Sequence, residues 1–142
     1  MKSAAALKAP LERLYREFDY AGRLALDAIQ FPLRYPDPAD RELVSLLASC
    51  LAYGRVNLFA PQVELILAGM GASPFRFILG FDPLKDTARF RDFRYRFNRP
   101  RDIRAFCLAA QRLLIRHGSL RAFFIHGYSP GDPDLGPALE RF

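Results

Sequence analysis

The 142-residue sequence has little that would tie it to a membrane, a disulfide framework or a metal ion. Its apolar runs fall short of the roughly eighteen consecutive residues that a membrane-spanning helix needs. The opening stretch, MKSAAALKAPLERLYREF, soon becomes amphipathic and charged, which argues against a secretory signal. The only cysteines, Cys50 and Cys107, have no other cysteine or histidine at ligand spacing. We therefore expect two buried free thiols in a reducing cytoplasm, without a disulfide or a metal site.

Recognisable catalytic motifs are also missing. The sequence has no glycine-rich phosphate loop, no HExxH, no CxxC and no GxSxG. His117 and His126 each stand at the end of a predicted helix, where a histidine commonly serves the helix dipole. Asp37, Asp40 and Glu42 fall at the start of a predicted helix, so they fit capping better than metal binding. We predict no catalytic residue, no metal ligand and no cofactor in this chain.

The sequence does have an almost continuous series of helical patterns, and its longest apolar surface lies within residues 37–71. Asp37 can cap a first helix, with Pro38 at the first helical position. Asn57 can cap a second helix after the turn at Gly54. The first helix is predicted to bury Leu43, Leu46, Leu47, Cys50 and Leu51. The second is predicted to bury Leu58, Val63, Leu65, Ile66 and Leu67.

Further helices are predicted around this pair, separated by connectors rich in proline and glycine. They cover residues 10–18, residues 74–79, residues 100–117 and a segment after Ser119. Leu11, Leu14, Tyr15 and Phe18 are the expected inward face of the first of them. Residues 27–36 should run extended across the core. Residues 90–98 fit both a strand and a helical period, and we interpret them as a short helix that passes into an extended corner at Asn98.

These patterns predict an all-α fold with a single core, a bundle of about six to eight short helices. Residues 1–127 should form the helical domain. Residues 128–142 should form a loop and the start of a further helix, which opens a carboxy-terminal half that the chain lacks. Among the residues expected in the core are Leu47, Cys50, Leu51, Ile66 and Phe106.

Positive charge is concentrated in one part of the chain. Residues 85–121 contain eleven basic residues against three aspartates, and eighteen of the 21 basic residues in the whole sequence are arginine. Arg94, Arg96, Arg99 and Arg101 crowd around the predicted helix start at Asn98. Arginine presents a planar fork that suits phosphate groups and stacks on aromatic rings. The segment is consistent with an anion-binding face and equally with a solvated basic face.

A second polar feature is the turn between the two long helices, where Tyr53, Gly54 and Arg55 precede the predicted cap Asn57. One interpretation is a helix that ends at glycine and is followed by an asparagine cap, with Tyr53 folded onto the core. The other gives the turn a role in binding. Arg55 would then hold a phosphate and Tyr53 would stack on a base or sugar, next to a helix amino terminus.

Several segments resemble a bacterial family of proteins of unknown function, DUF2400, and the resemblance covers almost the whole chain. The segments are FPLRYPDPADRELVSLLASCLAYGR, FRYRFNRPRDI and HGSLRAFF. That family in turn resembles the helix-hairpin-helix DNA glycosylases, whose segment LLSAQTTDxxVN is similar to residues 46–57. A weaker similarity lies at Phe97 and Asn98, which resemble the tyrosine-asparagine corner that opens a helix in those enzymes.

The glycosylase resemblance implies an all-α fold and DNA as the partner, but the sequence departs from the catalytic pattern. The glutamine that enters DNA in those enzymes corresponds to Cys50, which cannot form the same hydrogen bonds. The LPGVG-like hairpin is missing, and the catalytic lysine and aspartate would lie beyond Phe142. The resemblance therefore implies an amino-terminal piece of a longer protein or a shortened member, and enzymatic activity stays open.

Two functions fit these observations. The first is a DNA-binding helical domain of glycosylase-like ancestry whose arginines and helix amino termini hold phosphates. Its candidate binding residues are Tyr53, Arg55, Asn57, Arg94, Arg96, Arg99 and Arg101. The second is a non-catalytic helical scaffold that docks on a carboxy-terminal half or a protein partner, with the arginines as solvated surface. Salt-sensitive DNA binding would favour the first, and aggregation relieved by a partner would favour the second.

Overall fold

The computed structural model describes residues 4–142, with side chains from residue 6 onward. Residues 1–3 lie outside that range. They begin the segment whose pattern argues against a secretory signal, so that prediction falls partly outside the described residues. The α-helices are α1 (Ala4–Glu17), α2 (Tyr20–Leu24), α3 (Pro38–Leu51), α4 (Val56–Met70), α5 (Pro74–Leu79), α6 (Pro100–His117), α7 (Leu120–Gly127) and α8 (Gly136–Arg141). Short 3-10 turns cover Ala28–Gln30, Pro32–Arg34 and Asp86–Phe90.

This architecture confirms the predicted all-α bundle. Among residues 4–142 no strand forms, and the only strand-like pairing there is an isolated bridge between Tyr95 and Asn98. No described helix is long and apolar enough to cross a membrane.

The helix starts follow the capping residues in the sequence. The carboxylate of Asp37 accepts a hydrogen bond from the Ala39 amide, which satisfies one of the free donors at the start of α3. Ser73 caps α5 and Ser119 caps α7 in the same way. The predicted starts of α5 and α7 are therefore confirmed. Helix α6 also begins at Pro100, as predicted.

The core is centred on α3 and α4. Leu47 and Leu51 of α3, with Ile66 of α4, are buried as predicted. The buried carboxylate of Asp40 accepts hydrogen bonds from the Ser73 hydroxyl at 2.9 Å and from the Phe75 amide at 2.8 Å. Because both bonds reach the start of α5, Asp40 fixes that helix against α3.

Several expectations about burial in α3, α4 and α6 are wrong. Cys50 is exposed, because α3 turns Val44 and Ala48 toward the core and leaves Cys50 at the edge of the buried face. Leu46, Leu65 and Phe106 are only partly buried against the core, and Leu58 is exposed. The error in α3 arises because its apolar residues cover more than one face, and only the neighbouring helices decide which edge is buried.

The amino-terminal segments also differ from expectation. Pro10 lies inside α1 instead of starting it. All four residues of the predicted inward face are exposed: Leu11, Leu14, Tyr15 and Phe18. Residues 27–36 form two 3-10 turns with Phe31 fully buried between them, where an extended connector was expected.

The last helix packs on α7. The ring of Phe142 lies 5.2 Å from that of Phe123, and the Arg141 guanidinium donates to the Gly127 carbonyl at 2.7 Å. Ala138 of α8 is fully buried.

Candidate functional site

Two loops that precede the two longest core helices lie against each other. The loop at residues 53–55 leads into α4, and the segment at residues 94–99 leads into α6. The hydroxyl of Tyr95 donates a hydrogen bond to the backbone carbonyl of Tyr53, and the two rings lie 4.8 Å apart between centroids. We call residues 53–55 and 94–99 together the arginine corner. The amino termini of α4 and α6 therefore open at one corner of the molecule.

Close approach within the corner requires a glycine. Gly54 has φ of 97°, and a Cβ atom there would lie 2.8 Å from Nη2 of Arg96 and 3.1 Å from the Tyr95 hydroxyl oxygen. The guanidinium carbon of Arg96 lies 5.9 Å from the centre of the Tyr53 ring, within range of a cation–π interaction. Gly54 thus leaves room for Arg96 over Tyr53.

A tight turn from Tyr95 to Asn98 presents the centre of this segment to solvent. The amide of Asn98 donates to the Tyr95 carbonyl at 2.8 Å, and the Tyr95 amide donates to the Asn98 carbonyl at 3.3 Å. Arg96, at the tip, has a left-handed φ of 50°, which is uncommon for a residue with a Cβ atom. Phe97, the other tip residue, is 79% exposed.

The ring of Phe97 continues an aromatic stack. It lies 6.2 Å from the Tyr53 ring with only 6° between the two planes, while Tyr95 packs against Tyr53 as well. Tyr53 is therefore partly covered by its neighbours, and Phe97 holds the solvent-facing position of the group. Desolvation is the main cause that raises the pKa of the Tyr53 hydroxyl above its ordinary value, and the nearby Tyr95 adds to it. Tyr53 is consequently uncharged at neutral pH and does not repel phosphate.

Arginine stands at the cap position of both helices that start here. Arg55 precedes α4 without a side-chain capping bond. The Arg99 amide donates to Oδ2 of Asp102 at 2.7 Å, and its guanidinium Nη1 donates to the carbonyls of Arg96 at 2.7 Å and Asn98 at 2.9 Å. Arg99 therefore holds the turn in shape with the same side chain that adds charge to the corner.

The corner contains more positive charge than its carboxylates neutralise. Some arginines elsewhere form ion pairs, such as Arg34 with Glu64 at 2.6 Å and Arg141 with Asp132 at 2.9 Å, whereas others, such as Arg104 and Arg112 on α6, form none among the described residues. Among residues with described side chains, four corner arginines have no carboxylate within ion-pair distance: Arg55, Arg94, Arg96 and Arg99. Several unneutralised positive charges on two adjoining loops favour an anion at this surface.

The structure brings some of the predicted binding residues together and leaves others at the margin. Tyr53, Arg96 and Arg99 are linked by the contacts described above. Arg94 is held through its backbone, because its amide donates to Oε1 of Gln62 on α4 at 3.2 Å. Arg101 is exposed in the first turn of α6, with its Nε 3.9 Å from Oδ1 of Asp102.

Asn57 is placed differently from the prediction. Helix α4 begins at Val56 with Arg55 at the cap position, so Asn57 lies inside the first turn instead of capping it. The Leu58 and Phe59 amides donate to the Arg55 carbonyl, which starts the helix two residues earlier than expected. Asn57 remains exposed at the amino terminus of α4.

Sequence reasoning missed the roles of Phe97 and Tyr95 in the corner. The short helix expected within residues 90–98 does not form beyond the 3-10 turn that ends at Phe90. The alternative, alternating pattern separates the buried rings of Phe93 and Tyr95 from the exposed Arg94 and Arg96. Phe97 would be buried if the alternation continued, but the chain reverses at Arg96. The position with the positive φ is an arginine, so it has no glycine or asparagine to signal it.

Other reactive groups are dispersed. Among the described residues no three histidine, cysteine or acidic side chains cluster as metal ligands would. The ring of His117 lies 4.8 Å from that of Phe123 and 6.0 Å from that of His126, at the junction of α6 and α7. Burial raises the pKa of the Cys107 thiol to about 12, so this sulfur stays protonated at neutral pH.

Comparison with known proteins gives one result. The family model described as "Protein of unknown function (DUF2400)" matches residues 27–142, which include the whole corner and helices α3 to α8. Helices α1 and α2 precede the matched region. No curated protein and no solved structure matches the chain.

Proposed function

The chain belongs to the DUF2400 family, and we propose that its arginine corner binds the phosphate backbone of nucleic acid, with DNA as the partner. The observation that carries this proposal is the meeting of two helix amino termini beside four arginines without carboxylate partners. Arginine forks and free backbone amides are the two groups that proteins commonly direct at phosphate oxygens. The corner supplies both on one surface, with the free amides in the first turn of α4, because α6 begins at Pro100 and the Arg99 amide already donates to Asp102.

The charge distribution extends this surface along α6. Exposed Arg104, Arg112 and Arg116 follow the corner on that helix, and the carboxylate nearest to them in sequence, Asp102, already binds the Arg99 amide. A basic strip next to the corner would attract a polyanion from solution and hold it weakly, while the corner would give the close contacts. In this arrangement the corner provides the close contacts that give affinity, and the arginines of α6 attract the nucleic acid toward the corner.

The ancestry inferred from the sequence supports the same partner. The resemblance of residues 46–57 to the glycosylase segment ends on Val56 and Asn57, at the amino terminus of α4, beside the arginine corner. We propose a DNA-binding domain of glycosylase-like ancestry and confine the proposal to binding. Cys50, at the position of the DNA-entering glutamine, is exposed on the last turn of α3.

A fluorescence anisotropy titration tests the proposal. Labelled single-stranded and duplex DNA would be titrated with the protein at two salt concentrations. Contacts between arginine and phosphate predict binding that weakens as salt rises, because each contact releases condensed counterions. Absence of binding at the lower salt concentration would overturn the proposal.

A second candidate is the helical scaffold or interaction domain, and the exposed face of α1 favours it. Leu11, Leu14, Tyr15 and Phe18 form an apolar strip beside Tyr20, and together they line an open groove. Apolar strips of this kind commonly mark surfaces that another protein covers. Sedimentation velocity of the chain and of Leu11→Glu would test it. Self-association or aggregation that the substitution abolishes would support the scaffold, and a monomer in both cases would count against it.

A further inference from the structure

We infer that Phe97 is a base-stacking residue and that the arginine corner takes nucleic acid with unpaired bases, a single strand, in preference to an intact duplex. The inference rests on the proposed function and deepens it. The arginines can hold phosphates of either form. Phe97 adds a contact that only accessible base faces can make.

The exposure of Phe97 is the first observation. The rings of Phe31, Phe90 and Phe93 are fully buried, whereas that of Phe97 is 79% exposed at the tip of a turn. A large apolar ring normally packs into the core because burial removes its surface from water. Most of the Phe97 ring surface is thus left for a ligand to cover.

The rigidity of its support is the second observation. The turn is closed by two backbone hydrogen bonds between Tyr95 and Asn98, and Arg99 clamps it through the carbonyls of Arg96 and Asn98. Arg96 holds a left-handed φ of 50° next to Phe97. Such conformations persist only where the surroundings fix them, and they cluster at binding sites. Phe97 is presented in a fixed orientation, which lowers the entropic cost of stacking.

The direction of the stack is the third observation. Because the Phe97 plane lies 6° from that of Tyr53, a base placed on the outer face of Phe97 would extend an existing column of rings. The Arg96 guanidinium over Tyr53 and the unpaired Arg55 and Arg94 would then lie beside the sugar-phosphate chain. Proteins that bind single strands combine these two elements, an aromatic stacking platform and a positive groove.

Preference for a single strand follows from what a duplex hides. Bases in a duplex already stack on one another, so their faces are closed to a ring at the surface, while the phosphates remain accessible. Stacking on Phe97 therefore adds affinity for unpaired bases alone. Loss of the ring should weaken single-strand binding at least about fivefold, the lower end of the effect of one stacked base.

The absence of tryptophan from the sequence allows a direct test. Phe97→Trp places the chain's only tryptophan on the proposed platform and keeps a flat aromatic ring. A thymidine oligonucleotide should quench the emission of this tryptophan. The concentration that gives half of the quenching should equal the dissociation constant from anisotropy. With duplex DNA at the same fraction of protein bound, the emission should stay constant. Leu84→Trp is the control, since Leu84 is 91% exposed on the loop after α5 and should show no quenching.

Truncation separates this inference from the proposed function. Phe97→Ala should keep its thermal midpoint, weaken single-strand binding at least about fivefold and change duplex binding less than about twofold. Arg55→Ala combined with Arg94→Ala should weaken both. The inference is overturned if Phe97→Ala leaves single-strand binding unchanged or if single-stranded DNA does not quench Phe97→Trp. When the arginine variant loses affinity in the same experiments, the proposed function stands. If wild-type protein binds neither form, both are overturned.

Discussion

The hydroxyl of Tyr95 donates a hydrogen bond to the backbone carbonyl of Tyr53, and this bond joins the loop before α4 to the turn before α6. The two residues are 42 positions apart in the chain. Their rings pack at 4.8 Å, and Tyr95 is buried. The bond therefore fixes the distance between two helix amino termini, and the arrangement of the arginines depends on it.

Tyr95→Phe should destabilise the protein by about 0.5–1.5 kcal/mol, the usual net value of one hydrogen bond. The ring contact with Tyr53 would remain, but the Tyr53 carbonyl would lose its donor. Urea unfolding followed by circular dichroism measures the change. Tyr53→Phe is the matched control, because its hydroxyl lies 3.5 Å from the Tyr95 carbonyl, a long contact whose loss should cost less. An equal or larger loss for the control would contradict this account of the corner.

Gly54→Ala should lower both stability and DNA affinity. The left-handed φ of 97° disfavours a Cβ atom by about 1–3 kcal/mol, and that atom would lie 2.8 Å from Nη2 of Arg96. Gly118→Ala is the matched control, since its φ is 79° but no atom lies within 4 Å of the added carbon. The control should lose stability and keep its affinity, as judged by thermal melting and anisotropy. If the Gly54→Ala protein kept full DNA affinity, the role of Gly54 in shaping the binding site would be contradicted.

Thiol labelling at mildly alkaline pH should distinguish the two cysteines. Cys50 is exposed and should react quickly in the native state. Cys107 is fully buried with a pKa raised to about 12, so it should react only as the protein unfolds. Labelling with a chromogenic disulfide should give one rapid thiol in the native protein and two in denaturant. In Cys50→Ser the rapid phase should disappear, and its persistence would mean that Cys107 is accessible.

Leu47→Ala should destabilise the fold by about 2–5 kcal/mol, because it removes a buried side chain from the centre of α3. Leu58→Ala, on the exposed face of α4, makes the same chemical change and should stay within about 0.5 kcal/mol of wild type. Urea midpoints of the two variants provide the comparison. Similar losses would mean that the core is not centred on α3.

Much of the fold was predictable because its signals are local. The capping side chains of Asp37, Ser73 and Ser119 bond to amides two or three residues away, so their meaning is contained in the sequence itself. Proline at the first position of α3, α5 and α6 acts through its own fixed φ. Features of this kind do not depend on which helix packs against which.

The choice between two apolar faces was not predictable in the same way. Cys50 and Leu46 lie on one edge of α3, and Val44 and Ala48 lie on the other. Both edges are apolar, so periodicity alone cannot decide between them. The contacts of α3 with its neighbours bury the second edge, while Leu46 is only partly buried and Cys50 is exposed.

The candidate site was predictable in composition but not in geometry. The two loops are separated by some 40 residues, and nothing in either predicts that Tyr95 reaches the Tyr53 carbonyl. The left-handed Arg96 has no turn residue to announce it, so the reversal that exposes Phe97 was invisible in the sequence. The shift of the α4 cap from Asn57 to Arg55 likewise follows from the Arg55 carbonyl accepting the first bonds.

The central claim is that the arginine corner binds phosphates, and the salt dependence of DNA affinity tests it most directly. The measurement compares wild type with two double variants of equal charge change. Arg55→Ala with Arg94→Ala removes two corner side chains that make no ion pair among the described residues, so the fold should be unaffected. Arg112→Ala with Arg116→Ala makes the same charge change more than three turns from the start of α6.

The slope of the logarithm of the binding constant against the logarithm of salt concentration should become shallower for the corner variant, by about 0.7 per lost phosphate contact on a single strand and about 0.9 on duplex. The α6 variant should change the slope less. Equal slopes for wild type and the corner variant, or a larger change for the α6 variant, would contradict the assignment of phosphate binding to the corner.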